Sequence, residues 1–348
     1  MTAVTFSKYG SPAVGQLSLR ADVSKPSPAA GEVLIRVKAA SLNQIDKLRV
    51  QGDTSILFSD ALAFKMNSAI IGMDVSGVIE EVHDSNSTWK KGDEVFAVIN
   101  RADGTKGTVA EWVCCDAFAI AKKPPSLTFE EAAAMPLAGE TALQALRRGG
   151  VQSGSKVFIT SGAGGVGTFA IQLAKVLGAA KVATTASPGE KTDKVKSLGA
   201  DVVLDYHTHD YTDGSFGTDY DFAFDMTKES SKLASIVRVG GVITTIVGPP
   251  QVSELKRIGV PLNCLKQCLL YMIRDTKAAN NAAARGANWS NLWLQTSGKD
   301  LEELSGLVEA GKLKPVIDGV WPLAEWKAAV ERSFSGRALG KCVIRVAE

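Results

Sequence analysis

The sequence predicts an α/β protein with two domains, one rich in β-strands and the other built on a doubly wound parallel sheet. Three observations support this prediction. Short strands separated by Gly- and Asp-containing turns fill residues 1–127, strands and helices alternate over residues 128–297, and a glycine-rich turn joins a strand to a helix at 162–167. The 348 residues are enough for two separate cores. We therefore expect residues 1–127 and 298–348 to form the β-rich domain and residues 128–297 to form the other.

The β-rich domain is expected to take strands from both ends of the chain. Val33–Ala39 alternates on a period of two, and Val75–Val82 and Glu94–Ile99 have the composition of further strands. Short strands of this kind are typical of compact, barrel-like domains. The tail Lys341–Val346 also predicts a strand, which we expect to return to this domain.

The second domain begins after Pro124-Pro125, where Thr128 and Glu131 form a capping-box pattern at the start of a helix. Beyond it, runs of β-branched and aromatic residues alternate with helical patterns, as in a parallel sheet covered by helices. An amphipathic helix, Asp300–Ala310, follows the last of these strands. The expected strands are Val157–Thr160, Lys181–Thr185, Asp201–Asp205, Asp221–Asp225, Val242–Val247 and Asn288–Gln295.

The glycine-rich turn has the G-x-G-x-x-G spacing and is followed by a predicted helix, Val166–Leu177. In a dinucleotide-binding turn, the first glycine permits the tight turn and the second lets backbone N–H groups approach a pyrophosphate. The third brings the helix close to the strand, and the helix N-terminus adds partial positive charge. The sequence therefore predicts cofactor contacts at Gly162, Ala163, Gly164, Gly165, Val166 and Gly167.

The residues after the second strand of this domain indicate which dinucleotide is bound. NAD-binding units place an Asp or Glu near the end of that strand to hold the ribose 2′-OH, but no acidic residue lies between Gly162 and Glu190. Ser187 and Lys191 follow the strand instead, and a hydroxyl and an ammonium can receive a 2′-phosphate. We expect NADPH as the cofactor, with Ser187 and Lys191 as ligands. The alternative is that Lys191 is only a solvated helix lysine.

The composition is that of a soluble globular protein, with 45% hydrophobic and 22% charged residues. The 39 basic and 37 acidic residues give a formal net charge of +2 and are well mixed, so no basic tract indicates nucleic acid or an anionic membrane. The apolar segments are too short or too interrupted to span a bilayer. Five cysteines and an N-terminus without a signal or transit pattern favour a reducing, cytoplasmic location.

Several motifs occur in an order that resembles the medium-chain dehydrogenase/reductase superfamily. The resemblance covers essentially the whole chain and is greatest to the zinc-independent quinone oxidoreductase (zeta-crystallin-like) branch and its relatives that reduce α,β-unsaturated carbonyls. It implies a GroES-like catalytic domain, a Rossmann domain and a cofactor in the cleft between them. The motifs are AEW at 110–112, EAAAMPLAGETA at 131–142, GAGGVG at 162–167, GKLKPVID at 311–318 and GRALGKCVI at 336–344.

The resemblance also leads us to expect a site without metal. Zinc-dependent members take catalytic ligands from a Cys and from a Gly-His-Glu motif, and these positions hold Asn43 and the triplet Gly72-Met73-Asp74 here. The four-cysteine structural lobe is absent as well, because no cysteine lies between Met1 and Trp112. A catalytic zinc needs about three protein ligands, and only Asp74 could serve. We therefore expect no metal.

The cysteines elsewhere do not change this expectation. Cys114 and Cys115 are adjacent on a predicted strand and should point to opposite faces, which prevents them from forming a joint site. Cys264 and Cys268 share a helix face without a nearby histidine. We expect both of them to lie in the core.

Without zinc, direct hydride transfer to an electron-poor acceptor is the favoured reaction. A quinone or conjugated enal already carries its activation and takes its proton from water or a side chain. The histidines, His83, His207 and His209, are not expected to be catalytic. We expect an NADPH-dependent quinone reductase. The alternatives are an alkenal or enone double-bond reductase with little quinone activity, and an NADPH-binding protein without turnover.

The resemblance also implies roles for individual residues. Asn43 and Asp46 match an N-x-x-D motif that faces the nicotinamide, with bracing of a loop as the alternative for each. Two residues further on many relatives carry a Lys or Tyr, whereas this chain has Leu48, so the proton donor is left unassigned. The positions that the resemblance places beside the cofactor are Thr141, Tyr206, Val247 and Lys341. For Lys341, the alternative is a side chain that is only solvated.

Two segments are less regular than the family. Thr54–Asn67 is apolar where relatives often have a short Pro-containing loop, and Leu255–Asn281 carries an extra amphipathic helix. Either segment could wall an apolar substrate pocket, form a dimer contact or pack in the core. Because dimers in this superfamily commonly form through the last Rossmann strand, we expect a homodimer through Asn288–Gln295.

Overall fold

The computed structural model of the protein describes residues 1–53, 55, 69–84, 87–99, 106–214, 216–260 and 262–347. Packing divides the chain into two compact units, residues 1–140 with 296–348 and residues 141–295, which we call the first and the second unit. The first division falls inside a continuous helix, Pro136–Arg148, and the domain limits expected from the sequence stay a prediction. Apart from Ser55, the segment Thr54–Asn67 lies outside the described residues.

The first unit is rich in β-strands, as the sequence predicts, and most of its described strands pair antiparallel. Its strands, numbered along the whole chain, are β1 (Ala3–Phe6), β2 (Leu17–Arg20), β3 (Glu32–Leu42), β4 (Ala69–Ile70), β5 (Asp74–Val82), β6 (Glu94–Val98), β7 (Trp112–Asp116), β8 (Ile120–Lys122), β15 (Ile317–Pro322) and β16 (Lys341–Arg345). Among the described residues its sheets have the orders β2-β1-β4 and β15-β16-β3-β5-β6-β8, and β7 also pairs with β3. In addition to Pro136–Arg148, the described α-helices are Gln44–Gln51, Phe129–Ala133, Gly298–Glu309 and Trp326–Phe334.

Strand β3 carries much of the core of the first unit. Its alternating residues Val33, Ile35 and Val37 lie in the main hydrophobic cluster. A bulge in the pairing with β5 follows Val37 and shifts the phase, so the next core residues are Ala40 and Leu42. The strand therefore ends with an inward-facing apolar residue, and the chain turns into a helix directly after it.

Strand β16 returns the end of the chain to the first unit, which confirms the expectation from the sequence. It pairs antiparallel with β3, where Cys342 is opposite Leu42 and Val343 is opposite Ser41, and it pairs parallel with β15. This pairing places Lys341 beside the end of β3.

The second unit is a six-stranded parallel sheet of the doubly wound Rossmann type, as predicted. The strands are β9 (Lys156–Ile159), β10 (Lys181–Thr185), β11 (Val202–Leu204), β12 (Tyr220–Asp225), β13 (Val237–Thr245) and β14 (Asn288–Asn291). Their order is β11-β10-β9-β12-β13-β14, and it reverses between β9 and β12, where such sheets bind ligands at the carboxyl ends of their strands. The helices are Gly165–Val176, Glu190–Ser197, Ser230–Leu233, Val252–Arg257, Cys264–Ile273 and Thr276–Ala284.

The last strand of this sheet is shorter than predicted, because β14 ends at Asn291 and not at Gln295. Beyond it, side chains bond the backbone groups that a longer strand would pair. The Trp293 N–H donates to Glu254 Oε1 at 3.0 Å, and Arg257 Nη2 donates to the Trp293 carbonyl at 3.0 Å. These bonds pin the segment to the helix Val252–Arg257 and end the strand.

The segment before β14 forms three helices where the sequence predicted one, and the predicted burial of its cysteines is wrong. Cys264 and Cys268 are both exposed on the helix Cys264–Ile273. That helix buries only Leu270, and apolar neighbours such as Met272 face solvent. No helix among the described residues combines the length and apolar character needed to cross a membrane.

Glu140 is a residue of the first unit whose carboxyl group is buried. Its Oε1 accepts the Ser297 N–H at 3.0 Å, whereas Oε2 has no hydrogen-bond partner among the described residues. Burial raises the pKa of this carboxyl well above the ordinary 4.5, and the Asp300 and Asp74 carboxylates act in the same direction, against the bond from Ser297. The neutral acid is therefore the form that the fold favours.

We expect Glu140 to make the protein less stable as the pH rises. A raised pKa means that the folded protein holds a proton which the unfolded chain releases. The stabilisation is thus complete below about pH 4.5 and is lost as the pH rises through the folded-state pKa. Glu140→Gln removes the ionisation and keeps an acceptor for Ser297. The thermal unfolding midpoint of this variant should exceed that of the wild type by more at about pH 8 than at about pH 5. The same difference at both pH values would contradict the prediction.

Candidate functional site

The glycine-rich turn follows β9 and needs glycine at two positions for close packing. A Cβ at Gly162 would overlap Thr184 Oγ1, and a Cβ at Gly167 would overlap the Ser161 carbonyl oxygen. Ser161 itself has a left-handed φ of 53°, and its N–H donates to Thr185 Oγ1 at 2.9 Å. The turn is thus held tightly between β9, β10 and the helix Gly165–Val176.

The N-terminus of the helix Gly165–Val176 leaves hydrogen-bond donors unused. Gly164 is its N-cap residue, and the backbone N–H groups of Gly165, Val166 and Gly167 have no acceptor among the described residues. Three free donors at the positive end of a helix dipole form a favourable site for an anion. Because the Cβ-free turn lets a ligand approach these donors, the residues fit the pyrophosphate of a dinucleotide.

Two residues expected near the adenosine end lie together in the second unit. Ser187 follows β10 and Tyr206 follows β11, and their hydroxyl oxygens are 3.0 Å apart. Lys191 lies in the first turn of the helix Glu190–Ser197 and is half-buried, and within the described part of the chain its ammonium makes no hydrogen bond or ion pair. The three polar groups are therefore available to a 2′-phosphate, and their role stays a prediction.

An acidic residue that the sequence reasoning did not weigh lies close by. Asp205 directly precedes Tyr206, but its carboxylate is engaged in its own loop. It accepts the His207 N–H at 3.0 Å and the Thr208 hydroxyl at 3.2 Å. The motif spacing gave no signal for this residue, because it follows the third strand of the sheet and not the second.

Thr141 and Val247 are the two remaining positions of the second unit that are expected beside the cofactor. Thr141 is buried in the helix Pro136–Arg148. Val247 is half-buried just after β13, which ends at Thr245 because the Thr245 hydroxyl accepts the Val247 N–H at 3.1 Å. A contact of either residue with the cofactor stays a prediction.

A buried polar cluster lies at the end of β3 in the first unit, with the Asp74 carboxylate at its centre. Asp74 Oδ2 accepts from Ser41 Oγ at 2.7 Å, from Asn43 Nδ2 at 2.8 Å and from Lys341 Nζ at 3.1 Å, and Oδ1 accepts the Leu137 N–H at 2.7 Å. Ser41 and Asp74 are fully buried. The sequence reasoning considered Asp74 only as a metal ligand, and its importance as an acceptor depends on strands that meet only in the fold.

Lys341 is a member of this cluster and is not a solvated lysine. It is 3% exposed, and its Nζ donates to the Leu42 carbonyl at 3.0 Å, to Asp74 and to Asn43 Oδ1. Burying a carboxylate and an ammonium is costly unless both are paired and hydrogen-bonded. Both conditions are met here. A contact of Lys341 with the cofactor stays a prediction.

Asp46 lies close to the cluster but serves the backbone. It is fully buried, its Oδ2 accepts the Asn43 N–H at 2.9 Å, and its Oδ1 accepts the Gly72 N–H at 3.0 Å. This arrangement is the one that the loop-bracing alternative requires. A catalytic role for Asp46 stays a prediction, as does that of Asn43.

The donor set of the cluster does not fit a zinc ion. Within the described ranges there is no group of three or more His, Cys, Asp or Glu side chains that could hold a metal. Met73, at the position of a ligand histidine, packs against the core of the first unit. Burial raises the pKa of the Cys114 and Cys342 thiols to about 12 and raises that of Cys115 as well. The fold thus favours the neutral thiol form of each of these cysteines.

Comparisons with known proteins agree in the kind of protein that they identify. The family description "Alcohol dehydrogenase GroES-like domain" matches residues 29–125, and "Zinc-binding dehydrogenase" matches residues 198–344. The chain is 34% identical to a 2-methylene-furan-3-one reductase of Solanum lycopersicum, over 99% of this chain and 79% of that protein. It is 32% identical, with the same coverage, to the chloroplastic NADPH-dependent alkenal/one oxidoreductase of Arabidopsis thaliana.

A solved structure shows the same fold over its full length. The quinone oxidoreductase from Coxiella burnetii superimposes with a TM-score of 0.83 at 30% identity, covering 100% of this chain and 99% of that one. The similarity therefore extends through both units and is not limited to the nucleotide-binding sheet.

We expect Gly164→Val to abolish NADPH binding and to leave the second unit folded. A Cβ at Gly164 would meet only the Ser161 carbonyl oxygen and Oγ, each at 3.3 Å, and the φ of −76° suits any residue. The branched side chain would fill the space in which the helix N–H groups meet the pyrophosphate. Fluorescence titration with NADPH, paired with thermal unfolding, measures both effects.

Gly167→Ala is the matched control for that variant. Its Cβ overlaps the backbone of Ser161 and Gly162, so this variant should lose stability as well as binding. If Gly164→Val bound NADPH like the wild type, the pyrophosphate would not lie on this turn.

Proposed function

This chain belongs to the medium-chain dehydrogenase/reductase superfamily, and from that premise we propose that it reduces conjugated carbonyl compounds with NADPH, by direct hydride transfer and without zinc. The observation that carries the proposal is the donor set in the first unit. At the positions of two zinc ligands stand Asn43 and Met73, and the one carboxylate, Asp74, already pairs with Lys341. A site without a metal to polarise an alcohol suits an acceptor that carries its own activation.

NADPH is the proposed cofactor. We assign the pyrophosphate to the glycine-rich turn and the 2′-phosphate to Ser187, Lys191 and Tyr206, with Thr141 and Val247 near the nicotinamide. Two observations support this choice. The residues after β10 offer hydroxyl and ammonium groups where an NAD site has an acid. The Arabidopsis relative is NADPH-dependent by name. Lys341 has its donors engaged with Leu42, Asp74 and Asn43, so its predicted contact with the cofactor is not used in this proposal.

The chemistry needs little from the protein beyond placement. Bound NADPH supplies hydride, and a conjugated acceptor takes it at an electrophilic carbon, after which water or a side chain provides the proton. Asn43 and Asp46 are the residues that we place at this reaction, Asn43 through its side-chain amide. Asp46 holds the backbone of Asn43 and Gly72 through its carboxylate.

Enones are the favoured acceptors and quinones the second candidate. The Solanum and Arabidopsis relatives are reductases of a 2-methylene-furan-3-one and of alkenals or alkenones by name. The structural likeness to the Coxiella quinone oxidoreductase supports quinones. Both acceptors share a carbonyl group conjugated to a double bond, which is the feature that our proposal requires.

We also propose that the protein is a homodimer. Strand β14 lies at the edge of the six-stranded sheet, and an unpaired edge strand is a ready surface for pairing with a second copy. The proposal would be tested by sedimentation of the purified protein.

Purified protein should oxidise NADPH in the presence of conjugated enals, cyclic enones or quinones, and not with the matched saturated ketones. Chelator should leave the rate unchanged, because the cluster lacks a zinc donor set. The absorbance of NADPH follows the reaction. Binding of NADPH without oxidation by any acceptor would favour a non-catalytic NADPH-binding protein, and loss of activity in chelator would contradict zinc independence.

Lys191→Ala should weaken NADPH binding by roughly 10- to 150-fold, corresponding to about 1.5–3 kcal/mol for a charge-assisted hydrogen bond. NADH binding should hardly change, because NADH has no 2′-phosphate. Lys196→Ala, on the exposed surface of the same helix, is the matched control and should affect neither cofactor. Equal losses for both cofactors in Lys191→Ala would mean that the lysine only supports the fold.

A further inference from the structure

We propose that the helix Cys264–Ile273 docks the protein reversibly on an anionic lipid surface, with its apolar side in the headgroup layer and basic side chains nearby against the lipid headgroups. The inference goes beyond the proposed function and does not depend on it, because it follows from the exposure and charge of one segment of the second unit. The helix has 10 residues and is about 15 Å long, half of the thickness of a bilayer core. The contact is therefore with the membrane surface.

This helix presents its apolar side to solvent, the reverse of an ordinary surface helix. Five exposed residues follow the spacing i, i+1, i+4, i+7 and i+8, so they share one side of the helix over an arc of about 120°. They are Cys264, Leu265, Cys268, Tyr271 and Met272. Leu265 is 68% and Met272 is 74% exposed. Apolar side chains that are exposed together in this way mark an interaction surface.

The opposite side of the helix holds it to the rest of the second unit. Leu270 is buried there, and Lys266 and Gln267 are half-buried on either side of it. Gln267 Nε2 donates to the Leu262 carbonyl at 3.1 Å, and Asn263 Oδ1 accepts the Lys266 N–H at 2.9 Å as the cap of the helix. The fold thus fixes the polar residues inward and the apolar arc outward.

The segment that carries this helix has an excess of positive charge. Residues 255–274 contain no acidic residue, and their basic residues are Lys256, Arg257, Lys266 and Arg274. Lys256 and Arg274 are exposed, as is Lys277 in the next helix. The net charge of +2 for the whole chain conceals this local excess. Each basic residue near an anionic membrane strengthens binding about fivefold, so the charge of the segment complements such a surface.

The acidic residues at the two ends of this segment are already engaged. Glu254 is buried and pairs with Arg148 at 3.0 Å and with Arg257 at 2.8 Å. The Asp275 side chain accepts a backbone N–H at 3.0 Å and caps the helix Thr276–Ala284. These carboxylates therefore offset the charge of Arg257 but not that of the other basic residues.

A second copy of the chain fits this surface less well than a lipid surface does. A symmetric dimer contact places the same patch of both subunits together, and here it would bring basic side chains against basic side chains, which repel. Lysine is also depleted at protein–protein interfaces. Leu and aromatic residues on one side of a helix, with Lys and Arg beside them, are instead typical of helices that lie on anionic membranes.

Tyr271 and Arg274 form a pair that suits the headgroup layer. Both are exposed, and the Arg274 guanidinium carbon lies 5.5 Å from the centroid of the Tyr271 ring. Tyrosine is enriched at this depth because its ring is apolar and its hydroxyl stays in water. A guanidinium binds phosphate. The two side chains thus offer an apolar contact and a charged contact at the same end of the helix.

Binding to lipid vesicles tests the inference without an assay of activity. The full chain would be sedimented with vesicles of phosphatidylcholine alone and with vesicles that contain about one-third phosphatidylserine. It should bind the anionic vesicles more tightly, and added salt should weaken this binding because it screens the charged contact. No binding to the anionic vesicles, or equal binding to both compositions, would overturn the inference.

The apolar contact is tested by the double variant Leu265→Ser with Met272→Ser. Its affinity for the anionic vesicles should fall by at least about tenfold, because two apolar side chains leave the contact. The matched control is Phe118→Ser with Val239→Ser, since these residues are 63% and 75% exposed elsewhere on the protein. The control should bind like the wild type, and circular dichroism checks that each variant is folded. Equal losses in both variants would contradict the assignment of the contact to this helix.

The charged contact is tested by Lys256→Gln with Arg274→Gln. The affinity for anionic vesicles should fall roughly 10- to 30-fold, and most of its dependence on salt should disappear. Lys312→Gln with Lys327→Gln, at exposed positions of the first unit, is the matched control and should change neither. Wild-type affinity and salt dependence in the first variant would overturn the charge argument.

A fluorophore on Cys268 shows whether this helix itself meets the lipid. Cys264→Ser leaves Cys268 as the exposed thiol, because Cys114, Cys115 and Cys342 are buried. The emission of a polarity-sensitive dye there should shift to the blue with anionic vesicles, since the apolar side of such a helix enters the headgroup layer. Unchanged emission while the protein binds the vesicles would place the contact elsewhere. A dimer in the absence of lipid that dissociates in Leu265→Ser with Met272→Ser would make this surface a protein interface and overturn the inference.

Discussion

The buried ion pair between Asp74 and Lys341 is the constraint on which the first unit depends. Taking a carboxylate and an ammonium out of water costs several kcal/mol for each ion, and only good geometry with further hydrogen bonds offsets that cost. Asp74 accepts four hydrogen bonds and Lys341 donates three. Their partners come from the end of β3, from β16 and from the start of the helix Pro136–Arg148. These elements must therefore meet at one point for either charge to be tolerated.

The second unit differs from the first, because its glycine-rich turn presents hydrogen-bond donors that have no acceptor among the described residues. Close packing of the turn requires Gly162 and Gly167, and within the described part of the chain the first N–H groups of the following helix have no acceptor. Such groups are normally satisfied by caps, water or ligands. A pyrophosphate supplies acceptors at the same place where the helix dipole favours negative charge. In our proposal, the pyrophosphate of NADPH completes hydrogen bonding that the described residues alone do not complete.

Features encoded by neighbouring residues could be predicted from the sequence. The alternation of β3, the strand character of β16, the glycine-rich turn and the strand Lys181–Thr185 each depend on local pattern. The cap at Thr128, whose hydroxyl accepts the Glu131 N–H at 3.2 Å, is of the same kind. For such elements, periodicity and turn chemistry contain most of the information.

Features that depend on distant partners could not be predicted in this way. Lys341 and Asp74 are 267 positions apart, and their pairing requires the register of β16 against β3. The early end of β14 depends on the side chains of Glu254 and Arg257. For Cys264, the periodicity identified a helix but not which of its faces the rest of the chain would cover.

The central claim is direct hydride transfer to a conjugated carbonyl compound, and isotope transfer tests it most directly. NADPH deuterated at the transferring position of the nicotinamide would be incubated with the enzyme and a cyclic enone, and the product examined by NMR. Our account predicts one deuterium at the β-carbon of the saturated ketone, and solvent hydrogen at the α-carbon. Deuterium on the carbonyl carbon of an allylic alcohol, or a product without deuterium, would contradict it.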